Sequence, residues 1–199
     1  MVDQLHSLFG IQPHIDLNLM RPDQTLNDLS SRVFHALDRG LLAGLPDWVL
    51  VQGDTTTVMV SAIAAFHRGI RIAHIEAGLR TGDLAAPFPE EANRRITDLV
   101  SDILFAPTDL SRQNLINEGS DPTKIFVTGN TVVDVLQWIS KSLPDDDPVR
   151  EVLITVHRRE NFGEPLRRIF CDQTTLTPIP GYLLGLSCSS KPECRRAGK

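Results

Sequence analysis

The chain of 199 residues is poor in the features that mark most specialised proteins. It has three cysteines, and all of them, Cys171, Cys188 and Cys194, fall in the last thirty residues or so. An odd number in a chain without an export signal argues against a disulfide framework. Cys188 and Cys194 have five residues between them and no histidine nearby, a poor spacing for zinc. No long apolar run exists: Val58 to Phe66 is the longest apolar-leaning stretch and is far too short to cross a bilayer. The first residues, with Asp3 and His6, lack the basic start and apolar run of a signal peptide, so a cytoplasmic location without membrane attachment is expected. There is also no excess of positive charge. Twenty basic against 25 acidic side chains give a net charge of −5, no electrostatic reason to expect a nucleic-acid partner.

Familiar catalytic signatures are missing too. The sequence has no G-x-G-x-x-G, no Walker A lysine motif and no G-x-S-x-G elbow. Nicotinamide dehydrogenase, P-loop NTPase and α/β-hydrolase therefore lose ground. The overall composition, 41% hydrophobic and 23% charged, is that of an ordinary globular protein.

From residue 45 to about 157 short apolar runs alternate with amphipathic stretches. Strands are expected at Trp48–Gln52, Arg71–Ile75, Ile103–Ala106, Lys124–Val127 and Val152–Val156, each rich in β-branched or aromatic residues. Helices are expected at Thr25–Leu42, Thr55–Arg68, Glu90–Ser101, Ser111–Glu118 and Val132–Leu143, where apolar residues recur at three- and four-residue spacing. Gly69 and Gly119 stand where helices should stop. Strand and helix alternating in this way predict an α/β fold with a doubly wound, Rossmann-like parallel sheet. The Pro144–Pro148 run, charged and stiff, is the expected hinge between residues 1–143 and a second domain beginning at 149. Residues 171–199 show no clear helical or strand period, and a frameshifted or artificially ended reading is the expectation for this tail.

Ligands of open α/β sheets sit at the carboxyl ends of the strands, so the polar residues there carry the functional argument. At the first such end, Gly53 permits close backbone approach, Asp54 stands at the strand tip, and three threonines offer hydroxyls beside free helix N–H groups. A competing explanation is that Asp54 merely caps the helix. At the second, His74 and Glu76 fall on one side of a strand, and Arg80 follows in a glycine-bounded loop suited to an anionic ligand. No third ligand at a familiar spacing supports a metal there. At the third, Glu90 and Glu91 open a helix, although Glu90–Arg94 and Glu91–Arg95 have the spacing of ordinary surface ion pairs. After the last strand, Arg158 and Arg159 are good phosphate ligands and His157 is able to move a proton near neutral pH. Carboxylates, a histidine and arginines without an evident cofactor point to proton transfer on a phosphate-bearing substrate.

Taken together, Gly53–Thr57, His74–Thr81, Pro89–Arg94, Thr128–Thr131 and His157–Asn161 closely resemble, in order and spacing, the non-hydrolysing UDP-N-acetylglucosamine 2-epimerases, with a match from about residue 1 to 170. The resemblance implies the GT-B arrangement of two Rossmann-like domains facing across a cleft, of which this chain would hold the N-terminal half without its first strands and the start of the second domain. It implies interconversion of UDP-N-acetylglucosamine and UDP-N-acetylmannosamine, a surface-polysaccharide precursor, by anti elimination of UDP and its re-addition to a glycal. Asp54, Glu76 and Glu90 would be the acid/base carboxylates, His157 a further active-site residue, and Arg80, Arg158 and Arg159 substrate-side cations. No metal or redox cofactor is expected, a homodimer is compatible, and the substrate itself would serve as activator in bacterial members. Chains of the family are roughly twice this length, as two full domains require. A truncated, catalytically inactive remnant is therefore the alternative expectation. A nucleotide-sugar glycosyltransferase would fit the fold but not the Gly53–Thr57 and His74–Thr81 motifs.

Overall fold

The structure is a computed structural model that describes residues 2–142, 151–155 and 183–187. Two compact units divide the chain, Met1–Leu136 and Gln137–Lys199. The hinge expected at Pro144–Pro148 lies outside the described residues.

The first unit is built on four strands, β1 (Trp48–Gln52), β2 (Arg71–Ile75), β3 (Ile103–Ala106) and β4 (Ile125–Val127). They lie side by side in the order of the sequence, all parallel. Six helices are described: α1 (Val2–Phe9), α2 (Leu26–Arg39), α3 (Thr56–His67), α4 (Glu90–Val100), α5 (Asp109–Asn117) and α6 (Thr131–Ser142). Because each strand is followed by its immediate neighbour, right-handed crossovers carry α3, α4 and α5 along one face of the sheet.

The bounds follow local chemistry. Thr25, Thr55 and Thr108 each accept a hydrogen bond from the backbone N–H three residues on, satisfying an otherwise orphaned donor and fixing the starts of α2, α3 and α5. The cap at Thr108 lets α5 start at Asp109, ahead of the expected Ser111. Asp121 begins a 3-10 turn at Pro122–Lys124, which delays β4 to Ile125. Gly69 and Gly119 adopt positive φ directly after α3 and α5, as their place predicts.

Register aligns the core. Val51, His74, Leu104 and Ile125 form one row across the sheet, all buried beneath the helices. On the opposite face Leu50 and Phe126 remain 62% and 48% exposed, the apolar surface that a doubly wound plan covers with a second helical layer.

In one respect the helices depart from expectation. The apolar residues of α4 do not set its buried face: Leu99 is 84% exposed, while Glu91, Arg94, Thr97 and Asp98 are buried. Such an arrangement is tolerable because these polar groups are hydrogen-bonded to one another and to the strand ends. The second unit also holds a correction. The tail, which shows no clear helical or strand period in the sequence, contributes β6 (Leu183–Ser187), which pairs in parallel with β5 (Glu151–Thr155). Its Leu183-Leu184-Gly185-Leu186 run does not alternate, and strands of parallel sheets commonly do not.

Candidate active site

The turn after β1 is shaped by Gly53, whose φ of +84° a side chain would disfavour and whose N–H donates to the Ile75 carbonyl at 3.0 Å. This ties the end of β1 to the end of β2. The helix cap here is Thr55, so Asp54 does not serve as one. Instead the Asp54 carboxylate accepts from Arg94 Nη1 at 2.8 Å, and its carbonyl accepts from Asn93 Nδ2 at 2.9 Å. Asp54 is thus held from α4, with its side chain still 35% exposed.

Glu76 follows β2 directly and has φ +71°, a left-handed conformation that costs a non-glycine residue energy and collects at functional positions. A Cβ built on Gly53 would meet Glu76 Oε2 at 3.6 Å, which places this carboxylate against the Asp54 turn. Half-buried, it makes no side-chain hydrogen bond or ion pair among the described residues. His74, two residues earlier, is fully buried, with Nδ1 at 2.6 Å from Asp98 Oδ1 and Nε2 at 2.9 Å from the Gly53 carbonyl. With both ring nitrogens engaged it has no lone pair to give a metal, and the described residues contain no cluster of three or more metal-ligating side chains.

At the start of α4 the two adjacent glutamates separate. Glu90 is half-buried and, like Glu76, unengaged among the described residues. Its expected surface pair with Arg94 is not formed, because Arg94 is turned inward to Asp54 and Glu91. Glu91 is completely buried. Its Oε2 accepts from Arg94 Nη2 and the Thr81 N–H, its Oε1 from the Gly82 N–H and Arg95 Nε. Burial alone would push this carboxyl up, but Arg94 and the two backbone N–H groups outweigh it and hold the pKa at about 2.

Arg80, expected as a substrate-side cation, follows in the loop after β2 and meets two carboxylates. Its guanidinium is 7% exposed and shared between Asp98 at 2.7 Å and Glu118 at 2.6 Å. Although burial opposes the charge, these two carboxylates raise the pKa above its ordinary value. The loop after β4 joins the same end of the sheet through Gln52 Nε2, which donates to Thr131 Oγ1 at 3.0 Å. His157, Arg158 and Arg159 lie outside the described residues.

The segments around Asp54, Glu76 and Glu90 therefore meet at the carboxyl ends of β1 and β2, where the fold predicts a ligand. What sequence reading missed is the layer beneath them: Glu91, Asn93, Arg94 and Asp98. A signal for it was available, since Glu91, Arg94 and Asp98 are spaced by three and four, a charged stripe on one helix face.

Comparison with known proteins agrees with this fold. The chain is 43% identical to the UDP-N-acetylglucosamine 2-epimerase of Escherichia coli K12 over 184 residues, 85% of this chain and 49% of that one. It is 45% identical over 176 residues to the Bacillus subtilis enzyme of the same name, covering 46% of it. A crystal structure of UDP-GlcNAc 2-epimerase from Neisseria meningitidis bound to UDP-GlcNAc aligns with a TM-score of 0.88 and 39% identity, over 98% of this chain and 57% of that chain. The Methanocaldococcus jannaschii enzyme in complex with UDP-GlcNAc and UDP aligns at 0.84 with 32% identity, over 97% and 56%. The chain thus spans about half the length of the curated relatives it matches, and its parallel sheet is that of one half of a GT-B fold. The family model for UDP-N-acetylglucosamine 2-epimerase matches residues 1–180, past the last motif legible in the sequence, and the chain belongs to that family.

Proposed function

We propose that this chain carries the proton-transfer side of an epimerase site acting at C2 of UDP-N-acetylglucosamine. That carbon bears no acidic proton, so direct removal is a poor route. In the reaction a carboxylate takes the C2 hydrogen as the C1–O bond breaks, and the bonding pair leaves on the diphosphate of UDP. A C1=C2 glycal remains. Protonation of C2 on the opposite face and return of UDP to C1 complete the inversion. The chemistry needs carboxylates on both sides of the ring and donors for the departing diphosphate. Asp54, Glu76 and Glu90 are assigned the first task, His157 a further proton transfer, and Arg158 and Arg159 the second. Arg80, engaged by Asp98 and Glu118, is assigned to holding the loop that begins at Leu79 rather than to the substrate. With this reading go a homodimer and a cytoplasmic setting.

The observation that carries the proposal is the half-buried Glu76 carboxylate against the turn of Asp54, which is held by Arg94 from the helix that Glu90 opens. The test is incubation of the purified chain with UDP-N-acetylglucosamine in D2O, following UDP-N-acetylmannosamine by coupled assay and deuterium at C2. Turnover with label at C2 is expected. The coverage of about half of the relatives favours a second reading, in which the carboxylates are kept without turnover. Neither product nor label from this chain, with both restored in one extended to the relatives' length, would select it.

A further inference from the structure

We propose that His74 is a positioning residue whose ring donates from both nitrogens, clamping the Asp54 turn onto the end of β2. The inference rests on the epimerase reading for its catalytic consequence but not for its geometry. His74 is fully buried in the middle of the core row, a place where an apolar side chain would serve packing equally well. Its two neighbours are both acceptors. The Gly53 carbonyl has no hydrogen to give to Nε2. Asp98 Oδ1 faces Nδ1, and Asp98 Oδ2 already takes Arg80 Nη2 and the Gly78 N–H, so this side chain is met by donors on the side away from the ring. A neutral ring would set a lone pair against one of these oxygens in a site closed to water. Hydrogen on both nitrogens removes that conflict.

The mechanical consequence follows from Gly53. Its N–H donates to the Ile75 carbonyl and its carbonyl accepts from His74, so the peptide leading into Asp54 is stapled to β2 on both sides. The residue after Ile75 is Glu76. One buried ring therefore sets the spacing between two of the assigned carboxylates without approaching substrate itself.

Two measurements test this. In the 15N-labelled chain at neutral pH, both ring nitrogens of His74, identified by their loss in His74→Gln, are expected to show the shifts of protonated imidazole nitrogens. A shift of the unprotonated type at either one overturns the proposal, and where His74→Gln does not fold the signals are identified by through-bond correlation to the assigned His74 backbone. In His74→Phe, which keeps the ring's bulk, amide exchange at Gly53 should speed up by about tenfold while Leu104 and Ala106 of β3 keep their protection. Loss spread evenly over both strands, or none at Gly53, would reduce His74 to core filling. Where the chain turns over, His74→Phe should lower kcat about a hundredfold with KM little changed. Normal turnover in this variant refutes the clamp and leaves the epimerase reading intact. A doubly protonated ring with a loosened Gly53, where neither this chain nor one extended to the relatives' length turns over, refutes the epimerase reading and leaves the clamp.

Discussion

Glu91 offers the sharpest test of how the candidate site is supported. It is completely buried, yet its four hydrogen-bond partners are all donors: Arg94, Arg95 and the N–H groups of Thr81 and Gly82. Replacement by glutamine keeps the shape, removes the charge and turns an amide NH2 towards two of those donors. The magnitude can be worked from the carboxyl's position. Depression from an ordinary 4.5 to about 2 corresponds to about 3 kcal/mol of stability. That agrees with the roughly 3–5 kcal/mol lost when one partner of a buried ion pair is removed. Because the folded value is the lower one, the contribution is complete above the unfolded value and declines as pH falls from 4.5 towards 2. At pH 3.5 about 2 kcal/mol should remain. Urea unfolding of wild type and Glu91→Gln, followed by circular dichroism at pH 7 and pH 3.5, measures both quantities. A difference of less than about 1 kcal/mol at pH 7, or one that does not narrow on acidification, would show that the buried carboxylate is not the anchor described here.

Three further substitutions probe the same end of the sheet. Asp54→Asn keeps the hydrogen bond from Arg94 but removes one of the carboxylates proposed for proton transfer, and C2 proton exchange in the D2O assay should fall by about a hundredfold or more. Glu76→Gly should relieve the left-handed backbone and raise stability by about 1 kcal/mol in thermal unfolding, while turnover is lost. Gly78→Ala should destabilise by at least about 2 kcal/mol on the same measurement, since its Cβ would lie 2.3 Å from the Ser111 carbonyl oxygen at a φ of +80°.

The sheet was legible because its strands announce themselves. Trp48–Gln52, Arg71–Ile75 and Ile103–Ala106 are short β-rich runs bounded by turn residues, and their expected limits coincide with the observed ones. Asp54 and Glu76 stood out as candidates for a related reason: polar residues at strand tips have few structural tasks. The helix α4 was harder. Amphipathic periodicity assumes that the apolar stripe is the buried one, whereas Leu99 faces solvent and Asp98 the core. The Leu183–Ser187 strand was missed because without alternation a five-residue apolar run resembles many loops.

The same inversion of α4 explains why neighbours as alike as Glu90 and Glu91 are assigned opposite tasks. Successive helical residues point about 100° apart, so the helix that turns Glu91 to the core leaves Glu90 at its rim. The acid/base task proposed for Glu90 is helped if the group is reachable and has no permanent cation of its own. Glu90 meets both conditions only because Arg94, its i,i+4 partner by spacing, is drawn away by Glu91 and Asp54. Glu91 thereby spends its own charge to immobilise the arginine that would otherwise neutralise its neighbour. That arginine in turn orients Asp54 across the β1 turn. The buried charges of α4 are therefore best understood as the means by which two surface carboxylates are kept apart, one anchored and one free.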